Sequence, residues 1–176
     1  MSRIPTHTVE DAPPASRLLL RKIVQSTPTG RPANLHAQMA HSPAVLTAYT
    51  SLRAMLAEHT TFDPKVSAAL TLATAAGVGN DYMIRIASRL AHMNGWVEEQ
   101  VTALRTGAQT SDPKIDALTG LVREAAANSG NVIDATWKAA QQAGWSDEQL
   151  ADAFAYVGAT VFTGYFLNYA QTDLDI

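Results

Sequence analysis

The side chains able to do acid–base or metal chemistry in this chain are few and scattered. The five histidines are His7, His36, His41, His59 and His92, and no His-x-x-x-His or His-Glu-x-x-His spacing occurs among them. A helix presents two imidazoles to one metal when they stand four apart. His36 and His41 are five apart and leave one helical stripe, so no metal site is expected. His92 falls near the end of a predicted helix, where a cation suits the helix dipole. An acid–base partnership with Glu58 or Asp81 is its alternative chemical use. Asp81, Tyr82 and Arg85 open the same helix, and Asp81 and Arg85, four apart, share a face. Asp81 and Arg85 read either as a cap with a surface ion pair or, with Tyr82, as groups that hold an anionic ligand. The chain has no cysteine, which excludes disulfides, thiolate metal sites and cysteine nucleophiles. There is no Gly-x-Ser-x-Gly elbow. Gly77-Val78-Gly79 follows a helix rather than a strand, so no dinucleotide loop and no cofactor are implied.

Composition narrows the partners. The 176 residues suit one domain with a substantial core. Hydrophobic residues make up 47% and charged residues 16%, against a typical charged share of about 25%. Such a chain must hide surface in a core or against copies of itself. A net charge of −3 with no Lys/Arg block excludes nucleic acid and an anionic membrane as expected partners. The N-terminal residues 1–6 carry no apolar signal core, and Leu18-Leu19-Leu20 is short and followed by Arg21 and Lys22; a cytoplasmic location is expected. No charge falls between Asp152 and Asp173, a length that could span a membrane. Thr160, Thr163, Asn168, Gln171, Gly158 and Gly164 interrupt that stretch, which reads as a core or subunit-interface helix instead. Phe154, Tyr156, Phe162, Tyr165, Phe166 and Tyr169 read as core or subunit packing in the same helix.

The elements that must position these groups are helical throughout. Residues 1–13, with two prolines, form an expected extended arm; residues 14–176 form one all-helical domain. Helical periodicity begins near Ala15 and breaks at Thr27-Pro28-Thr29-Gly30-Arg31-Pro32. A short helix follows at about 33–40. Ser42-Pro43 and Asp63-Pro64 each supply a cap and a first-turn proline for the next two helices. The helix from Pro64 is almost purely apolar and stops at Gly77-Val78-Gly79; Asn80 or Asp81 can cap its successor, which ends at Asn94-Gly95. Further helices fit 97–106, 113–127, 132–143 and 147–170, and no stretch alternates as a strand.

An internal repeat organises the second half, near 63–106 and 112–155. Asp63-Pro64-Lys65-Val66 recurs as Asp112-Pro113-Lys114-Ile115, and Gly95-Trp96-Val97-Glu98-Glu99-Gln100 as Gly144-Trp145-Ser146-Asp147-Glu148-Gln149, both at an offset of 49 residues. Ala68/Ala117, Leu72/Leu121 and Ala76/Ala125 keep the same register. In each copy Asp-Pro starts a helix, and a second helix ends at a glycine whose following tryptophan can fold back as in a Schellman cap. Ser146 with Gln149 forms a capping box; Val97 has no side-chain acceptor, so the first copy is weaker there. The architecture predicted is two helical hairpins packed together, with an N-terminal helical extension.

With these residues in place the chain resembles a known family. The arm from Arg3-Ile4-Pro5 to Asp11-Ala12-Pro13, the segment Arg31-Pro32-Ala33-Asn34-Leu35, His41-Ser42-Pro43 with Leu46, Asp63-Pro64, the Asn94-Gly95-Trp96 turn and the tail from Asn168 to Leu174-Asp175 are similar to alkylhydroperoxidase-D-like proteins of the carboxymuconolactone decarboxylase superfamily. The resemblance spans nearly the whole chain. It implies an all-α fold that assembles as trimers or hexamers, with a site near a subunit interface. Peroxidases of that family carry a Glu on the first hairpin helix, a Cys-x-x-Cys opening the second, and a His one turn later. A helix N-terminus favours a thiolate; the second cysteine resolves the oxidised sulfur; Glu and His relay the proton. Aligned on that motif, Asn80 and Met83 stand at the cysteine positions, Ala68 at the Glu and Ala87 at the His, while Tyr82 fits the family pattern. The resemblance therefore implies a relative without thiol peroxidase activity and without a decarboxylase's ionisable groups. Two classes of function follow: a ligand-binding or structural homo-oligomer, or an enzyme of altered, non-thiol chemistry acting on a small molecule, anionic in one reading, through Asp81, Tyr82, Arg85 or His92.

Overall fold

A computed structural model describes residues 2–175. Among the described residues there are nine helices and no strand: α1 (Pro14–Gln25), α2 (Asn34–Met39), α3 (Pro43–His59), α4 (Pro64–Val78), α5 (Asp81–Met93), α6 (Glu98–Thr106), α7 (Pro113–Ala127), α8 (Asp134–Gln142) and α9 (Asp147–Ala170). The all-α class and every expected helix are present. The chain divides into two compact units, residues 58–164 and residues 1–57 with 165–176.

The unit of residues 58–164 contains both copies of the repeat. Asp63 accepts the Val66 amide at 2.8 Å and so caps α4; Asp112 does the same for α7, accepting from Lys114 and Ile115. In each case proline occupies the first turn, where its missing N–H costs nothing. α4 is the central helix. Ala68 through Ala75 are buried without a break, so this helix is apolar on all sides rather than along a stripe. It packs against α5, α6 and α7. The approach to α7 is close: a methyl built on Gly77 would stand 2.6 Å from the Arg123 carbonyl oxygen. Only glycine fits at that crossing.

The second half of each copy repeats atom for atom. Gly95 and Gly144 take left-handed φ values of 86° and 89°. The Trp96 amide reaches back to the Ala91 carbonyl and the Trp145 amide to that of Ala140, while Gly95 and Gly144 donate to His92 and Gln141; both are Schellman caps. Each indole Nε1–H then donates at 2.8 Å to a carbonyl in the first turn of the paired helix, Trp96 to Lys65 and Trp145 to Lys114. Each of those lysines also lays its ammonium over the ring, at 4.7 and 4.5 Å from the centroid. The capping boxes differ as the sequence requires. Ser146 and Gln149 bond reciprocally, whereas at Val97 only the Gln100 side chain reaches the backbone.

The unit of residues 1–57 and 165–176 is built from α1–α3, the last turn of α9, the N-terminal arm and the tail. Arg3 donates its amide to Ala170 at 2.8 Å, Gln38 donates its side-chain amide to the Ile4 carbonyl, and Asn34 binds both the Asp173 carbonyl and the Asp175 carboxylate. The Thr172 hydroxyl bonds the Gln38 side-chain oxygen. The start of the arm is thus tied to α2 and to the end of α9. α9 is the one described helix long and apolar enough to cross a membrane, and half of its apolar window is buried inside the protein.

Candidate functional site

The positions that the resemblance points to lie on α4 and at the start of α5, two helices that pack together in the unit of residues 58–164. Asn80 caps α5, its side-chain oxygen accepting the Met83 amide at 2.8 Å. Of the two caps the sequence offered, Asn80 rather than Asp81 does the work, and residues 80–83 form the opening turn of a helix. Ala68 on α4 and Asn80, Tyr82, Met83 and Ala87 at the start of α5 are all buried. The turn keeps the feature that would favour an anion, a helix N-terminus with its partial positive charge. No buried side chain here exploits it as a thiolate would. Met83 is a thioether without an ionisable proton, Ala68 and Ala87 are methyl groups, and the Asn80 oxygen is spent on the cap.

The ionisable groups of the same segment sit elsewhere. Asp81 and Arg85 are exposed, and among the described residues they form no ion pair with each other. His92 is exposed as well. Its Nδ1 lies 3.1 Å from the Trp96 carbonyl, and its Nε2 lies 3.1 Å from a Glu98 oxygen. Its partner is therefore Glu98 across the α5–α6 turn, not Glu58 or Asp81, because that turn brings the first residue of α6 back beside the last turn of α5. Of the four ligand-binding candidates only Tyr82 is buried with the vestigial positions; Asp81, Arg85 and His92 face solvent. No group of three or more metal-ligating side chains converges among the described residues.

Comparison with known proteins gives the fold. No family model and no curated protein sequence matches the chain. Among solved structures, a peroxidase-related protein with an alkylhydroperoxidase AhpD core from Ralstonia eutropha JMP134 superposes with a TM-score of 0.82 at 16% identity, covering 99% of this chain and 92% of its own. The chain has the AhpD fold. A peroxidase-related protein from Silicibacter sp. TM1040 gives a TM-score of 0.75 at 14% identity, covering 99% of this chain and 95% of its own. The debrominase Bmp8, as a variant in complex with 2,3,4-tribromopyrrole, gives 0.81 at 12% identity, covering 99% and 92%. The AhpD fold is thus present across the whole chain, in a sequence without a cysteine.

The structure also gathers titratable groups that the sequence reading did not connect. In the unit of residues 1–57 and 165–176, His36 of α2 faces Tyr49 of α3, with Nε2 3.2 Å from the phenol oxygen. The His36 Nδ1 is buried and has no hydrogen-bond partner. Burial, and after it the Arg53 charge, push its pKa down to about 4, with Asp175 opposing. Burial raises the pKa of Tyr49. The pair is neutral at pH 7. Its one legible signal was the 13-residue separation of two polar residues on apolar helix faces, which has no helical period to mark it.

Proposed function

We propose that this protein is a ligand-binding or structural homo-oligomer on the AhpD fold, without thiol peroxidase activity. One observation carries the reading. At the positions where the resembled peroxidases place their chemistry, the chain buries Ala68, Asn80, Met83 and Ala87, while the charged neighbours Asp81 and Arg85 stand in solvent. Peroxide reduction needs a thiolate and a second sulfur; neither exists here. The alternative, an enzyme of non-thiol chemistry on an anionic molecule, requires Arg85 to enter the site, and its exposure counts against it. A ligand held by Met83, Ala68, Ala87 and Tyr82 is small and predominantly apolar. The complex of Bmp8 with a brominated pyrrole supports that class.

Self-association is supported by exposed apolar side chains. Ile133, Trp137 and Phe154 are exposed in the unit of residues 58–164, and Tyr165 and Tyr169 in the other. These belong to a chain with few charges to solubilise them. A cytoplasmic location fits the same reading. Native mass spectrometry of the purified protein tests it. The expected result is a trimer or hexamer, with any retained molecule small and apolar. Peroxide turnover with a dithiol reductant, above that of the reductant alone, would overturn the proposal.

A further inference from the structure

A second cluster lies outside the AhpD site, in the unit of residues 1–57 and 165–176. The Nε2 of His7 stands 2.9 Å from the Nδ1 of His41, with ring planes 8° apart and centroids separated by 5.2 Å. Parallel rings in face contact lie about 3.4 Å or more apart, so a separation of 2.9 Å means that these rings lie end to end in one plane and share a hydrogen. The far side of His7 is fixed. Its Nδ1 lies 3.3 Å from the Asp11 carboxylate, which is itself held by the Thr8 amide at 2.7 Å. Asp11 is kept ionised by that amide and by His7. An ionised carboxylate accepts only, so His7 Nδ1 carries a proton and its Nε2 is the bare acceptor for His41 Nδ1–H.

This order of bonds dictates what protons do. A proton on the outer Nε2 of His41, an exposed residue, breaks none of these bonds. A proton on His7 Nε2 falls on an atom that already accepts a hydrogen. Two N–H groups would then meet head to head on two adjacent cations. Asp11 of the arm bonds His7, and Glu10 of the arm and Arg31 of the turn before α2 line the groove beside it. α1 and α2 line the neighbouring groove without a titratable group, through Val24, Asn34 and Ala37. The His36 of α2 and the Arg53 of α3 interact with each other instead. Of the nearby charges only Asp11 bonds either ring, and it is already engaged with His7.

His7, Glu10 and Arg31 all line that groove, a space of about 510 Å³. The arm is anchored on both sides of it. Gln38 holds the Ile4 carbonyl at 2.9 Å, and Arg17 holds the Ala12 carbonyl at 2.8 Å. Between those anchors, the hydrogen bonds from residues 6–10 to the body among the described residues are the His7 amide to Ala37 at 3.0 Å and the His7–His41 contact. We propose that His7 and His41 form a proton-shared latch that closes residues 6–10 over this groove and releases them when both imidazoles are protonated.

The test combines side-chain nitrogen NMR of the histidines with amide hydrogen exchange, from pH 8 to pH 5, corrected for the intrinsic pH dependence of exchange. In the wild type, once both rings carry a second proton, the His7 amide should exchange about tenfold faster, the equivalent of one lost hydrogen bond. In His41→Gln the side-chain amide can flip to donate or accept, so protection of the His7 amide should not change across this range. His7→Gln should behave in the same way. His36→Gln, which alters the other acid-sensitive group, should keep the wild-type response. Independent titration of the two rings, unchanged protection in the wild type, or equal loosening in His41→Gln would overturn the proposal.

Discussion

His36 makes this protein's stability depend on mildly acidic pH, by an amount that follows from its surroundings. In the unfolded chain its imidazole titrates near 6.5; in the folded chain burial and Arg53 bring that to about 4. Between those values the unfolded chain binds a proton that the folded chain refuses. Folding is therefore penalised as pH falls through this window, and the contribution is fully present above it. The difference of about 2.5 pKa units, at about 1.4 kcal/mol each, gives a loss of about 3 kcal/mol. Stability should be flat above pH 7.5, fall with a limiting slope of about 1.4 kcal/mol per pH unit between 6 and 4.5, and level off below 4. His36→Gln removes the titrating group while leaving an amide beside Tyr49. Urea unfolding of both proteins at fixed protein concentration, at half-unit intervals from pH 8 to pH 4, gives the difference curve directly. It isolates His36, because acid effects elsewhere, including those at His7 and His41, occur in both proteins and cancel. A wild-type curve that stays parallel to the variant's through pH 5 would refute the argument, since it would mean that His36 is hydrated and charged in the folded state.

Other substitutions test the packing and the repeat. Gly77→Ala should destabilise by about 1–3 kcal/mol, because the added methyl meets the Arg123 carbonyl at 2.6 Å; thermal unfolding reads this as a lowered Tm. Trp96→Phe and Trp145→Phe should each cost about 1 kcal/mol for the lost indole bond, and near-equal losses in urea are expected because the two indoles bond equivalent carbonyls. Val97→Ser should stabilise by about 0.5–1 kcal/mol, since it completes a capping box that already has its Gln100 half; no gain in the urea midpoint would mean that the serine does not reach the Gln100 amide.

What could be read from the sequence, and what could not, divides on the range of the interactions. Asp63-Pro64, Asp112-Pro113, Gly95-Trp96 and Gly144-Trp145 announce helix ends because a cap is made within a few residues of itself. The repeat follows from the same local chemistry, written twice. The indole-to-carbonyl bonds are not local, but they too keep the 49-residue register, so the repeat carried them unseen. The motifs behind the family resemblance turn out to bind one another: Arg3 to Ala170, and Asn34 to Asp173 and Asp175. Scattered short motifs that look unspecific one by one are then a single interlocking surface, which is why their order along the chain was informative. Neither His7 with His41 nor His36 with Tyr49 could be found this way. Each pair joins segments brought together by the turns between them, with no period in the sequence to count.

The same division explains why the AhpD site reads as silent from both directions. A centre of the resembled kind, made of Glu, Cys-x-x-Cys and His, needs four side chains at fixed places on two packed helices; the residues aligned with them here fall on an all-buried α4 and a capped α5. Replacing a buried Glu and His with Ala removes two groups whose burial is costly unless they are hydrogen-bonded or paired. The hairpins lose no capping bond by the change: Asp63 and Asp112 lie outside the replaced positions, and Asn80, aligned with the first cysteine, itself caps α5 by accepting the Met83 backbone amide. The helix caps are thus independent of which side chains stand at Ala68, Met83 and Ala87. Stability measurements can decide whether that independence is real. Ala87→His restores one ionisable group to the buried face of α5. Without a carboxylate partner it should destabilise by a few kcal/mol and lose further stability below pH 6, whereas the double variant with Ala68→Glu should recover part of the loss if the two positions face each other. A single variant as stable as the wild type at pH 5 would show that position 87 is wet, and that the buried, apolar centre inferred here is not what α4 and α5 enclose.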